Sequence, residues 1–125
     1  MTSIHIPVPG QRMTIDIDRS ITDIVEQKYV FDDKNHNWSR NPEFNKFYLQ
    51  SAQNIFNDKL HARGHVFLNE IFDFIGLPRT IEGQLFGWSN DLNSSSFVYF
   101  NMTPGESKAS MVLQFNPDGP ILGWI

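Results

Sequence analysis

The chain has 125 residues, no cysteine and a formal net charge of −4. That length fits one domain, which buries about two thirds of its unfolded surface and forms a modest core without metal or disulfide staples. The missing cysteines exclude a disulfide framework, a thiol nucleophile, a cysteine zinc knuckle and an iron–sulfur centre within this chain. Acids outnumber bases 14 to 10 and no block is strongly basic, so nucleic acid is not an expected partner. Charged residues interrupt every apolar stretch well short of the roughly 18 residues of a membrane span. The start, MTSIHIPVPGQR, lacks the pattern of a secretory signal. A cytoplasmic protein without a membrane segment is therefore expected.

Residues 1–12 read as an extended arm. Ile4, Ile6 and Val8 alternate, but Pro7 and Pro9 remove backbone donors, which restricts the arm to an edge strand or a strap. Met13, Ile15 and Ile17 alternate with Thr14, Asp16 and Asp18, the pattern of a half-buried strand. Ile21, Ile24 and Val25 fit one short helical turn capped by Ser20, and 32–41 reads as a polar surface loop holding one bulky residue, Trp38.

A long amphipathic helix is predicted next. Asn41 supplies the cap, Pro42 the first position, and Gly64 the left-handed stop. Phe44, Tyr48, Ala52, Phe56 and Leu60 recur every four residues and, widened by Phe47 and Ile55, are read as its inward face. Lys46, Gln50, Gln53, Asn57 and Asp58 are read as the opposite, solvated side. A short helix follows, capped by Asn69, with Glu70 in its first turn and Gly76 ending it so that Leu77 packs back on Phe72.

Thr80 starts a third turn or short helix through Leu85. The period then changes to two: Phe97 to Met102 alternate, as do Met111 to Phe115. Asn116, Pro117, Asp118 and Gly119 carry turn chemistry before a last strand over 121–125. The predicted fold class is α+β, with one long and one short helix packed on a small antiparallel sheet bearing a C-terminal hairpin. Residues 41–125 form the compact domain, and 1–40 an N-terminal arm, strand and polar loop associated with it.

The run RGHVFLNEIFDFIGLPRTIEGQLFGW over 63–88 and the tail MVLQFNPDGPILGWI carry a resemblance. Gly64, Val66, Phe67, Leu68 and Asn69 match a G-x-VFLN entry to a short helix. Leu77, Pro78, Arg79 and Thr80 match an LGLPRT exit, and Gly87 and Trp88 a GW pair. Phe115, Asn116, Asp118 and Gly119 match an FN-x-DG turn. Over its last half the chain thus resembles a family of small uncharacterised phage and prophage proteins of Gram-positive bacteria. Phe74 and Ile75 stand where that pattern has a small residue and Leu. The resemblance implies a phage-related origin and transfers no activity to any residue.

No constellation of catalytic groups stands out. His61 and His65 are four apart, but a zinc site needs a third ligand, the zincin pattern needs Glu where Ala62 stands, and Gly64 breaks the helix between them. Asp32, Asp33 and His36 lie in the polar loop with no nucleophile nearby. Asp16 and Asp18 share one side of a strand and hold a cation only if further ligands converge, from Glu26 or Glu70. No metal, cofactor or catalytic residue is assigned.

Aromatic residues make up 14% of the chain, and aromatics with Arg are the usual anchors of protein interfaces. Trp38 in its polar loop is either an interface contact or a cap over the long helix. Trp124 lies one residue from the end, Arg79 is the best-placed cation of its turn-rich run, and Trp88 is read as core. Trp38, Arg79 and Trp124 are the candidate partner-binding residues. The expected function is a non-enzymatic protein-binding module, a phage accessory protein acting on a host factor. A small metal-dependent hydrolase or nuclease, and a structural subunit of a phage particle or other assembly forming a homo-oligomer, are the alternatives.

Overall fold

A computed structural model describes residues 2–8, 11–17 and 21–124, with side chains over 21–123. Strands β1 (Thr2–Val8) and β2 (Gln11–Ile17) form an antiparallel pair in which Ile4 lies opposite Ile15 and Ile6 opposite Met13. In a pair every strand is an edge, which is what Pro7 requires. Helix α1 (Ile21–Glu26) follows, as predicted from its three apolar residues, and buries Ile24. Ser20, its predicted cap, lies outside the described residues.

Two three-stranded antiparallel sheets make up the rest of the β-structure. One has the order β3 (Tyr29–Asp32), β7 (Ser110–Phe115), β6 (Phe100–Pro104). The other has the order β4 (His65–Phe67), β5 (Phe86–Ser89), β8 (Gly119–Pro120). Helices α2 (Pro42–Arg63) and α3 (Leu68–Ile75) complete the α+β fold. Strands β6 and β7 form a hairpin, while β7 and β8, on either side of the 116–119 turn, lie in different sheets. The central strand β7 buries Met111, Leu113 and Phe115 and turns Val112 and Gln114 outward, as the period of two demands. Phe31, Phe56, Phe72, Trp88, Phe100 and Leu113 are all fully buried in one core. The predicted strand over 121–125 is instead β8 followed by a 3-10 turn, Leu122–Trp124. The turn or short helix predicted from Thr80 through Leu85 is a 3-10 turn, Glu82–Gln84.

The caps of α2 follow the sequence. The Asn41 side chain accepts from the Glu43 N–H, Pro42 opens the first turn, and Gly64 at φ 88 closes it with its N–H on the Leu60 carbonyl. Its buried face does not follow. Asn45, Leu49, Ala52, Phe56 and Leu60 point inward, while Phe44 is 61% and Phe47 67% exposed. A strict four-residue repeat advances about 40° per step on a helix of 3.6 residues per turn. Phe44 and Leu60 are therefore about 160° apart and cannot share one face. The inward stripe keeps its heading through the three-residue step from Leu49 to Ala52.

Helix α3 begins two residues earlier than predicted, with Phe67 rather than Asn69 at the cap position. Leu68 is its first residue, and the Glu70 carboxylate accepts the Phe67 N–H at 2.8 Å. Asn69, predicted as the cap, instead bonds the distant loop: its Oδ1 accepts the Thr80 N–H and its Nδ2 donates to the Thr80 carbonyl. The other end matches expectation. Gly76 at φ 82 and Leu77 both donate to the Phe72 carbonyl, a Schellman-type stop.

Candidate functional site

The loop over 33–41 is pinned by asparagine amides that mimic backbone pairing. Asn35 accepts the Asn37 N–H and donates to the carbonyls of Ile75 and Gly76, tying the loop to the end of α3. Asn45, fully buried on α2, accepts from the Ser39 N–H and donates to the Ser39 carbonyl, both at 2.8 Å. A buried amide is tolerable only when both its ends are satisfied, and this one is. Trp38 is held between these two anchors.

Trp38 is partly buried, with its ring 5.4 Å from Phe31. From there rings continue through the molecule: Phe31 stacks on Tyr48 at 6.2 Å, Tyr48 on Phe74 at 6.3 Å, and Phe74 meets Phe56 edge-on at 5.5 Å. The Tyr48 hydroxyl donates to the Phe74 carbonyl, and burial raises its pKa above the ordinary phenol value. On one side the Trp38 ring thus packs against Phe31 of β3, where the sequence reading has it either capping the long helix or meeting a partner. Its other side lines a groove of about 380 Å³ with Pro42, Lys46, Met102, Pro104, Lys108 and Met111.

Beyond the loop lies a second, apolar hollow bordered by Phe44, Phe47, Tyr48 and Ser51. Phe44, Phe47, Tyr48, Ser51 and Ile55 form a stripe of their own along α2, rotated away from the buried stripe. Phe74, 40% exposed, extends it from α3. The four-residue count places Phe44 and Phe47 on the inward face, and their exposure corrects it; Phe74 enters the sequence pattern only as a departure. The signal that separates the stripes is the heading of each set: 45, 49, 52, 56 and 60 cluster on one side, 44, 47, 51 and 55 on another.

Arg79 lines neither hollow. Its guanidinium grips the Asp73 carboxylate with two bonds of 2.9 Å, stapling the loop after α3 to that helix. This hydrogen-bonded pairing holds the Asp73 carboxyl below its ordinary range. A depressed carboxylate pKa contributes stability above the ordinary range and loses it as pH falls through the depressed value. Both side chains are half or more exposed, so solvent screens the pair and folding stability barely changes. Arg79→Ala is expected to return the Asp73 carboxyl titration to the ordinary aspartate range while leaving the thermal midpoint in place. Carboxyl-detected NMR across acid pH reads the first and calorimetry the second. Trp124 falls in the last 3-10 turn, and its side chain lies outside the described residues.

Among the described residues no three His, Asp or Glu side chains converge on a point where a metal would sit. Glu70 is engaged by Arg63 at 2.6 Å, and Asp32 accepts the Lys34 N–H. The side chains of Asp16 and Asp18 lie outside the described residues. No helix among the described residues is long and apolar enough to cross a membrane. Trp88, read as core, is fully buried with its indole N–H on the Asn116 side-chain oxygen.

A family model, described as a family of unknown function, matches residues 8–125, from the end of β1 through both sheets and all three helices. The chain belongs to the DUF6353 family. The DUF6353 match takes in the Trp38 loop and all of α2, well beyond the last half over which the motifs carried a resemblance. Comparison with curated proteins and with solved structures returns no match in either case.

Proposed function

We propose that this chain is a non-enzymatic protein-binding module whose docking face is the aromatic stripe of α2 and α3. The observation that carries the reading is the exposure of Phe44 and Phe47 around one hollow of α2, with Phe74 of α3 stacked on Tyr48 at its border. At roughly 200 Å² per ring these three leave on the order of 350 Å² of aromatic surface in water, the size of the largest patch on an ordinary monomer, which is often functional. Aromatic rings bury much area for little side-chain entropy and anchor interfaces for that reason. A ring held on a helix also needs little ordering when a partner arrives.

We further read the module as a phage or prophage accessory protein acting on a host factor. The supports are the 63–88 run, the FN-x-DG turn and the resemblance they carry.

The double variant Phe44→Ser/Phe47→Ser tests the docking face. A partner captured from host lysate by the unaltered chain is expected to bind the double variant at least a hundredfold more weakly, about 3 kcal/mol. Its thermal midpoint is expected to stay within a few degrees, since both rings are exposed. Undiminished affinity of the folded double variant removes the face from the reading.

A further inference from the structure

The groove beside Trp38 has a property the aromatic face lacks, an open sheet edge. β6 is the outer strand of its sheet. Backbone polar groups alternate along a strand, so those of Phe100 and Met102 face away from β7, continuing the line of Val98 just before β6. Side chains of α2 occupy the first of these positions. Val98 N–H donates to the Asn57 side chain at 2.7 Å, Asn57 donates back to the Val98 carbonyl, and Phe100 N–H donates to Gln53 at 2.8 Å. One turn further along α2 stands Leu49, buried and without an amide. The ladder of amides stops there. Met102 lies opposite Leu113, turned toward the groove it lines, and no side chain among the described residues bonds its N–H. Pro104, two residues on, has no N–H and limits the edge.

The charge at the groove is the reverse of the chain's. Lys46 and Lys108 line it beside Glu106, and Arg40 and Asp33 line its continuation past Trp38. Bases outnumber acids there, whereas acids outnumber bases 14 to 10 overall. Among the described residues none of the three cations is in an ion pair. The floor is apolar and adaptable, built from Trp38, Met102 and Met111.

We propose that this groove binds an extended peptide bearing acidic side chains. The peptide adds to β6 at Met102 through a pair of backbone hydrogen bonds. It sets its carboxylates against Lys46 and Lys108 and an apolar side chain against Trp38. Strand addition provides affinity through main-chain bonds and specificity through alternate side chains, and both elements are present here. The groove and the aromatic stripe use different residues, so failure of one leaves the other standing.

The test is an amide NMR titration of the full chain with the capped octapeptide Ser-Gly-Glu-Leu-Glu-Leu-Gly-Ser. Saturable shifts are expected at the Met102 amide and the Trp38 indole N–H. The same peptide with lysine in place of glutamate is expected to bind at least ten times more weakly, and Lys46→Glu/Lys108→Glu to reverse that preference. Both lysines are exposed, so the variant keeps its fold. Backbone N-methylation supplies the strand signature. Methylating the leucine nitrogens or the glutamate nitrogens must abolish binding in one case and spare it in the other, because only alternate N–H groups face β6. No saturation at millimolar peptide overturns the proposal, as do equal affinities for both charges or equal effects of both methylation patterns. Shifts confined to Phe44 and Phe47, or tighter binding of oligothymidylate than of the acidic peptide, overturn it as well.

Discussion

Gly87→Ala is expected to lower the thermal midpoint by about 10 °C, equivalent to about 3 kcal/mol for a chain of this size. Gly87 sits in β5, the middle strand of its sheet, opposite Phe67 on one side and Gly119 on the other. A β-carbon there would stand 2.1 Å from the Val66 carbonyl oxygen and 3.0 Å from the Phe67 α-carbon. Both are backbone atoms of β4, so no rotamer change relieves the clash. The strands must separate, which loosens the Asp118 N–H bond to the Gly87 carbonyl and disturbs Trp88 behind it. The need is for close approach of two chains rather than an unusual φ, since Gly87 is not among the positive-φ glycines. The check is differential scanning calorimetry, with Gly64→Ala as a comparison: Gly64 has nothing within 4 Å of its β-carbon and bears only the strain of its positive φ. Equal midpoints for Gly87→Ala and the unaltered chain would show that β4 and β5 do not approach as described.

What the sequence made legible divides along the range of the interactions. Asn41, Pro42 and Gly64 mark α2 because caps are satisfied by residues a few positions away, and Gly76 marks the end of α3 for the same reason. Strand β3 was missed. Its four residues carry no turn signal of their own, and they become a strand only by pairing with β7, where Tyr29 meets Leu113. The sequence places Asn57 on a solvated face and Asn69 at a helix cap, and gives Asn45 no role. Asn45, Asn57 and Asn69 instead use both ends of the amide to complete the backbone of distant loop residues, Ser39, Val98 and Thr80 respectively. Nothing in the spacing of an asparagine reveals which distant backbone it will complete. The candidate site suffered from one error of phase: a four-residue count merged two stripes of α2 and drew Phe44 and Phe47 into the core. Trp38, picked for standing alone in a polar loop, does border the groove. Arg79, singled out as the cation of a turn-rich run, bonds Asp73, a pairing across six residues that no local motif announces.

Asn69→Ala is expected to cost about 2–3 kcal/mol, the loss of two part-buried hydrogen bonds plus an unfilled space. Asn69 is 6% exposed, and its amide pairs with Thr80 eleven residues away, holding the loop that leaves α3. Without it the Thr80 N–H and carbonyl lose their partners at a site only partly open to water. Asn69→Asp separates the two bonds: the carboxylate still accepts the Thr80 N–H but faces the Thr80 carbonyl with a second acceptor, so about half or more of the loss is expected to remain above the carboxylate range. The same side chain explains Gly83. A β-carbon at Gly83 would lie 2.1 Å from the Asn69 side-chain oxygen and 2.9 Å from the Thr80 hydroxyl. Gly83→Ala therefore destabilises the unaltered chain by pushing Asn69 off Thr80. In an Asn69→Ala background the new methyl enters vacated space and costs much less. The cycle is expected to show a coupling of about 1 kcal/mol or more, read from urea midpoints at constant m-value. Additive losses would mean that the two residues do not meet. Faster exchange of the Thr80 amide in Asn69→Ala locates the effect at the bond itself, because a general loosening of the core would speed Phe72 and Leu113 as well.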